Sequence, residues 1–273
     1  MFERNAKPII SVLVSTYNWP QALNLCLLSI ENQSEKPFEV IIADDGSTIA
    51  TKELIDNFRK RSSLNIKHVW HEDKGFRLAK IRNMAIAQAS GDYIVQVDGD
   101  IILHRHFIKD HKSFAKKNSF VRASRIYINE LVSEQMIESG AYKVSVFSKG
   151  ISNFFSGLRI PFIRRFFEHN YKVKGLERYE IHGCNMAYWR ADAIEVNGYN
   201  EAFEGWGPED KEFVVRMLNS GKVRRFLKGG GIAFHLYHKE SSRAFQEANQ
   251  RLLDDAIGQN KKKCKQGIDQ YLK

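Results

Sequence analysis

The chain has 273 residues, and its 43% hydrophobic content is enough to bury a substantial core as one large domain or two small ones, which excludes a disordered protein. Its 42 Lys and Arg against 32 Asp and Glu leave a formal charge of +10, favouring anionic partners such as nucleic acid, anionic lipid or phosphorylated small molecules. Three scattered cysteines (Cys26, Cys184, Cys264) with no Cys-x-x-Cys spacing suggest neither a disulfide framework nor a zinc knuckle, and the absence of a bilayer-length apolar run or a cleavable leader makes the cytoplasm the expected location.

IISVLV (Ile9 to Val14) is a continuous apolar run, the pattern of a strand covered on both faces, and polar STYN follows it. A helix is expected from Pro20, with Leu23, Cys26, Leu27 and Ile30 at helical spacing and a break at Asn32 to Pro37. FEVIIADDGS reads as a second buried strand ending in acids. A helix around Leu54, Ile55 and Phe58, a strand at Asn65 to Trp70 and a helix marked by Leu78, Ile81, Ala85 and Ala89 come next, and YIVQVDGD is a fourth strand ending in acids. The order βαβαβαβ predicts right-handed crossovers and a mostly parallel sheet flanked by helices, with ligands at the C-terminal strand ends. Beyond Phe114, FVRASRIYI reads as one more strand, 139–180 as irregular, and IHGCNMAYW as the approach to a short helix. The division expected is one domain over 1–258, with a nucleotide-binding half (1–114) and an acceptor-binding half (115–258), followed by a basic tail over 259–273.

Two stretches concentrate the basic surplus. SGLRIPFIRRFFEHNYKVKG (Ser156 to Gly175) alternates Phe and Ile with Arg and Lys. It could lie on an anionic membrane with Arg164, Arg165 and Lys172 toward the headgroups, or be a basic loop with an ordinary core face. NKKKCKQ (Asn260 to Gln266) reads as a solvated charge run. No nucleic-acid-binding motif organises these charges, so nucleic acid is not an expected partner.

The chemistry points to the acids. No G-x-x-x-x-G-K-[ST] is present and no G-x-G-x-x-G follows the first strand. In their place Asp98 and Asp100 form an Asp-x-Asp at a strand end, able to hold a hard divalent cation together with substrate phosphates, although an isolated Asp-x-Asp is often only a solvated turn. His235 and His238, in GGGIAFHLYHKE, stand three residues apart; carboxylates with imidazole favour Mn²⁺ over Mg²⁺, against the alternative of one packed and one surface histidine. GWGPED (Gly205 to Asp210) reads equally as a helix start, with Pro208 in its first position and acids complementing the dipole, and as an active-site loop.

STYN, ADDGS, FRLAKIRNMAI, VDGD, GWGPED and the late HxxH, in this order from Ser15 to His238, resemble a family 2 glycosyltransferase of the GT-A fold, with a C-terminal half like that of galactosyltransferases and chondroitin polymerases. The resemblance implies an α/β GT-A domain and an inverting, metal-dependent transfer of a hexose or N-acetylhexosamine. The donor would be a UDP-sugar and the acceptor a hydroxyl of a glycan or lipid-linked glycan, in cell-surface polysaccharide synthesis. It implies that Tyr17 and Asp45 hold the uracil beside Thr16 and Asp44, that Arg82 and Asn83 face the nucleotide, and that Asp98 lies near ribose or donor sugar. Asp100 would bind Mn²⁺ or Mg²⁺ with His235 or His238, where the family has a methionine at the first of these two positions. Trp206 would wall the sugar site, Asp210 would be the general base, and Glu209 would bind hydroxyls or replace it as base. A sugar-nucleotide nucleotidyltransferase and a non-catalytic nucleotide- or membrane-binding module are the competing readings; the first lacks a Gly-rich basic loop for a triphosphate, and the second would bind without releasing UDP.

Overall fold

The computed structural model describes residues 7–168, 174–239 and 243–272. The first apolar run forms β1 (Ile10–Thr16), and FEVIIAD supplies β2 (Glu39–Asp44), each buried along its whole length. β3 (Ile66–Trp70) and β4 (Tyr93–Asp98) follow. Between these strands run α1 (Pro20–Glu31), opened by its proline, α2 (Ile49–Arg61), whose last turn carries Arg59, Lys60 and Arg61 where cations complement the helix dipole, and α3 (Leu78–Gln88). The four strands are parallel in the order β3-β2-β1-β4, as the alternation predicts.

Both faces of this sheet are covered over β1 and β2, which is why these two strands read as largely apolar runs, whereas the edge strand β3 carries Lys67, His68 and an exposed Trp70. Val12, Val14, Val40 and Ile42 pack with Leu23, Leu27 and Ile30 of α1 on one side, while Leu13, Ile41 and Ala43 pack with Ile81, Ala85 and Ile86 of α3 on the other.

The remaining elements are β5 (Ile101–Leu103), α4 (Phe107–Phe114), β6 (Ser119–Ala123), β7 (Arg125–Tyr127), α5 (Glu130–Ser139), α6 (Arg164–Phe167), β8 (Asn185–Trp189), α7 (Arg190–Glu195), α8 (Glu209–Asn219), β9 (Val223–Leu227), β10 (Ala233–His235) and α9 (Gln246–Gly258). β8 inserts antiparallel between β4 and β6, and β9 pairs parallel to β6, completing a mostly parallel sheet in the order β3-β2-β1-β4-β8-β6-β9. A second, small sheet has the order β5-β10-β7. FVRASRIYI is therefore two strands in two sheets. The break falls at Ser124, whose carbonyl accepts a hydrogen bond from the buried Asn185 Nδ2 at 2.7 Å, and strand patterning on both sides of that residue conceals it.

Among the described residues, the stretch 139–180 holds short helical turns and little else, as expected. The orientation expected for Arg164 is corrected: it turns inward, its Nη2 2.7 Å from Oδ1 of the buried Asp110, which also binds Arg159. A buried carboxylate draws in the nearest guanidinium, an attraction that sequence alternation does not reveal. Phe155, Phe162 and Phe166 are instead exposed, at 81%, 78% and 76%. Lys172 and the side chain of Arg165 lie outside the described residues. In the final stretch Lys262, Lys263 and Lys265 are exposed, while Cys264 and Ile268 are buried, Ile268 in the layer that contains Ile81 and Ala85. Among the described residues no helix is long and apolar enough to cross a membrane.

Candidate active site

The C-terminal ends of β1 and β4 open into a cavity of about 1020 Å³. Thr16 and Tyr17 line it from the end of β1, Asp45 from the end of β2, and Asp98 and Asp100 from the end of β4. Tyr17 is half exposed and donates its hydroxyl to Asp73 at 2.9 Å. Asp45 is buried; its Oδ1 lies 2.7 Å from His71 Nε2 and its Oδ2 accepts the Arg77 amide at 2.9 Å, so the carboxylate is held rigidly at the cavity edge.

The small sheet builds the second wall. β10 pairs antiparallel with β5, placing His235 opposite Ile101, and the Leu236 amide donates to the Asp100 carbonyl at 3.0 Å. Residues 135 positions apart in sequence thus become neighbours: Asp100 Oδ1 is 3.5 Å from His235 Nε2, and Asp100 Oδ2 is 3.4 Å from His238 Nε2. The three side chains offer ligand atoms within 4.8 Å of one another. Burial pushes Asp100 up to about 6 and Asp98 likewise, the latter also through repulsion by Asp100 and Asp210. Burial and the Arg125 charge lower His235 to about 4, so its imidazole is neutral near pH 7 and keeps a lone pair. Asp100 Oδ1 is buried without a hydrogen-bond partner. A carboxylate with one orphaned oxygen, its two oxygens each beside an imidazole nitrogen, fits a divalent cation, and both histidines lie within reach of the same point.

Opposite stands the start of α8. Pro208 is the residue before the helix rather than its first position, and Glu209, Asp210 and Glu212 occupy the first turn. Gly205 adopts a φ of +65° that L side chains rarely adopt, and a Cβ there would strike Phe245. Asn249 of α9 clamps the loop, its Nδ2 donating to the carbonyls of Glu204 and Trp206 at 2.9 Å each. The loop presents Trp206, 39% exposed, together with Glu209 and Asp210, to the cavity.

Arg82 on α3 joins the two walls. Its side chain is 1% exposed, with Nη1 2.9 Å from Asp210 Oδ1 and 3.3 Å from Glu209 Oε1, and Nη2 3.3 Å from Asp98 Oδ1. Burial, the Asp210 charge next to it and Asp98 push Glu209 up to about 8, Arg82 only partly opposing them, so Glu209 is largely protonated at pH 7. Asp210 is more open, its side chain 20% exposed, and among the described residues its Oδ2 has no hydrogen-bond partner. The adjacent acids are thereby differentiated, one a hydroxyl donor and the other a free acceptor.

Two expected site residues do not line the cavity. Asp44 is buried one residue too early, accepting the Ser47 amide at 2.8 Å and pairing with His68. Asn83 faces away, donating to the Tyr199 carbonyl and to Glu201 and accepting the Tyr199 amide, because adjacent helical residues diverge by about 100°. Conversely His182, Gly183 and Cys184, from IHGC, line the cavity although no motif in the sequence marks them as site residues. A Cβ on Gly183 would overlap the Asp210 carboxylate, a requirement that a lone glycine in a strand approach signals only weakly. Arg125 also lines the cavity and brings a cation beside Cys184 and Tyr127.

The family model described as "Glycosyl transferase family 2" matches residues 11–196, and the one described as "N-terminal domain of galactosyltransferase" matches residues 163–239. Validoxylamine A glucosyltransferase of Streptomyces hygroscopicus subsp. limoneus is 26% identical over 235 residues, 78% of this chain and 49% of the relative. Chondroitin synthase of Escherichia coli is 25% identical over 240 residues, 83% of this chain and 34% of that protein. The chain therefore spans half or less of the length of these relatives. Among solved structures, S. aureus TarS 1-349 in complex with UDP-GlcNAc superposes with a TM-score of 0.61 at 19% identity, over 85% of this chain and 59% of that one. The mannosyltransferase PcManGT from Pyrobaculum calidifontis, in complex with GDP-Man and Mn²⁺, gives a TM-score of 0.59 at 18% identity, over 86% and 59%. These likenesses bear out the GT-A architecture.

Proposed function

We propose, from the premise that this chain belongs to glycosyl transferase family 2 and is a glycosyltransferase, that it moves a hexose or N-acetylhexosamine from a UDP-sugar to a hydroxyl of a glycan or lipid-linked glycan, with inversion. Membership displaces the nucleotidyltransferase and non-catalytic readings. The observation that carries the proposal is the placement of Asp210 on one wall of the cavity and of Asp100, His235 and His238 on the other.

Asp210 Oδ2 would take the proton of the acceptor hydroxyl as its oxygen attacks the anomeric carbon from the face opposite the nucleotide. The bond from that carbon to the diphosphate oxygen breaks, UDP leaves, and the configuration inverts. Asp100, His235 and His238 would hold a divalent cation, which when bound would offset charge on the departing diphosphate as a Lewis acid. The two-imidazole, one-carboxylate set favours Mn²⁺ over Mg²⁺. Arg125 adds positive charge on the same wall, and Arg82 aims Asp210. Tyr17 and Trp206 supply the aromatic surfaces for uracil and sugar, and Glu209, protonated at neutral pH, donates to a sugar hydroxyl. The UDP-GlcNAc complex of TarS supports a UDP-linked donor, and the chondroitin synthase relative supports a glycan acceptor in polysaccharide synthesis.

UDP release from UDP-glucose, UDP-galactose, UDP-GlcNAc and UDP-GalNAc, each with Mn²⁺, Mg²⁺ or EDTA, tests the proposal. At least one donor is expected to turn over with Mn²⁺ and to stop with EDTA. Silence from all four rejects the donor class, and EDTA-resistant turnover rejects the metal.

A further inference from the structure

Behind Asp210 lies a buried polar chain that proton removal as described leaves unused. Tyr199 is fully buried, its ring stacked on Phe213 with centroids 4.6 Å apart, and its hydroxyl oxygen lies 3.1 Å from Asp210 Oδ1 and 2.9 Å from Gln96 Oε1. Gln96, on β4, is buried as well. Its Nε2 donates to the Gly183 carbonyl at 2.9 Å, and its Oε1 accepts the Tyr188 hydroxyl at 3.0 Å. A carbonyl at one end and two phenols at the other determine which way the amide points. Tyr199 therefore has one proton and two oxygen acceptors within reach, with the weaker Met186 Sδ acceptor at 3.6 Å.

The charged and titratable groups facing Asp210 are Arg82 from α3, Asp98 from β4, Glu209 before it on α8, and the phenols Tyr188 and Tyr199. Arg82 stays cationic and donates in every protonation state of Asp210. Tyr199 can redirect its hydroxyl. Burial and the Asp210 charge hold its proton far more tightly than usual, so the O–H bond rotates and does not break.

We propose that Tyr199 is the positioning residue of the base: it donates to Asp210 Oδ1 while the carboxylate is charged, and turns to Gln96 Oε1 once Oδ2 has taken the acceptor's proton. The inference rests on Asp210 being the base. The proton balance is simple, since the acceptor O–H bond breaks, the Asp210 Oδ2–H bond forms, and the phenol keeps its proton. Gln96 joins this hydrogen bond to Gly183, the glycine whose missing side chain makes room for the Asp210 carboxylate.

Two variants separate this role from a structural one, measured on the full chain as UDP release from the fastest of the four UDP-sugars above. Tyr199→Phe keeps the ring and its stacking but removes the donor. Its kcat is expected to fall roughly tenfold at unchanged donor KM, and the acid limb of its kcat profile to move up by about one pH unit, because a hydrogen bond to the charged form is lost. Gln96→Met removes the competing oxygen and leaves Asp210 as the one oxygen acceptor for Tyr199 beside the weak thioether of Met186, so its acid limb moves to lower pH. Opposite displacements support the proposal; displacement in one direction only, or none, in variants that still bind UDP with Mn²⁺ overturns it. Should Tyr199→Phe fail to fold, the direction for Gln96→Met decides, and an unmoved limb rejects the relay. Asp210→Asn run in parallel distinguishes the failures: full turnover there removes the base assignment itself, whereas an inactive Asp210→Asn beside a silent Tyr199→Phe removes the relay alone.

Discussion

Asp98 and Asp100 are two positions apart and both pushed up to about 6 by burial, yet they face different partners: Arg82 sits against Asp98, whereas Asp100 meets His235 and His238. On the proposed function, protons and a divalent cation would compete for the Asp100 carboxylate. A carboxyl raised to about 6 is mostly charged at pH 7 and mostly protonated at pH 5, while His235, lowered to about 4, remains neutral across that window. Mn²⁺ affinity, followed by electron paramagnetic resonance in the presence of UDP, should therefore fall about tenfold from pH 7 to pH 5. A flat profile would remove Asp100 from the metal site. Residue types and spacing reveal much at this scale, because Asp-x-Asp and His-x-x-His have few other reasons to end strands facing a cavity. They do not reveal direction. Asp44 and Asn83 adjoin true lining residues and point elsewhere, while Tyr199, a residue with no motif around it, sits against Asp210.

Among elements, the first four strands and three helices were legible because burial on both sheet faces leaves apolar runs in β1 and β2, the half-buried β3 stands between two helices, and those helices keep their own period. The second half was less so. Its reversed strand β8, and the change of sheets at Ser124, depend on hydrogen bonds from Asn185 to the Ser124 and Gly231 carbonyls, contacts between residues 46 and 61 positions apart. The β5-β10-β7 sheet, with three residues in each strand, is too short for periodicity to detect, yet its register is what brings Asp100 to His235. GWGPED is both a helix start and part of the cavity wall. The first turn of α8 orients Glu209 and Asp210, and α9 holds the loop through Asn249.

Across the whole molecule, charge and exposed aromatics suggest where the enzyme meets its surroundings. With a formal charge of +10 and Phe155, Phe162 and Phe166 projecting into solvent, we propose that the face carrying these three rings rests on an anionic bilayer at the inner face of the cell membrane, the rings inserted among the headgroups. Sedimentation with vesicles containing phosphatidylglycerol, but not with phosphatidylcholine alone, is expected, and Phe155→Ser with Phe162→Ser should abolish it; equal binding by the variant contradicts this face. The central claim is narrower, that two walls built by distant parts of the chain meet as one transferase site with Asp210 as its base. Turnover of Asp210→Asn tests it most directly, measured as UDP release alongside Mn²⁺-dependent UDP binding. Loss of at least about a hundredfold in turnover with binding retained is the predicted result. Near-normal turnover would contradict it.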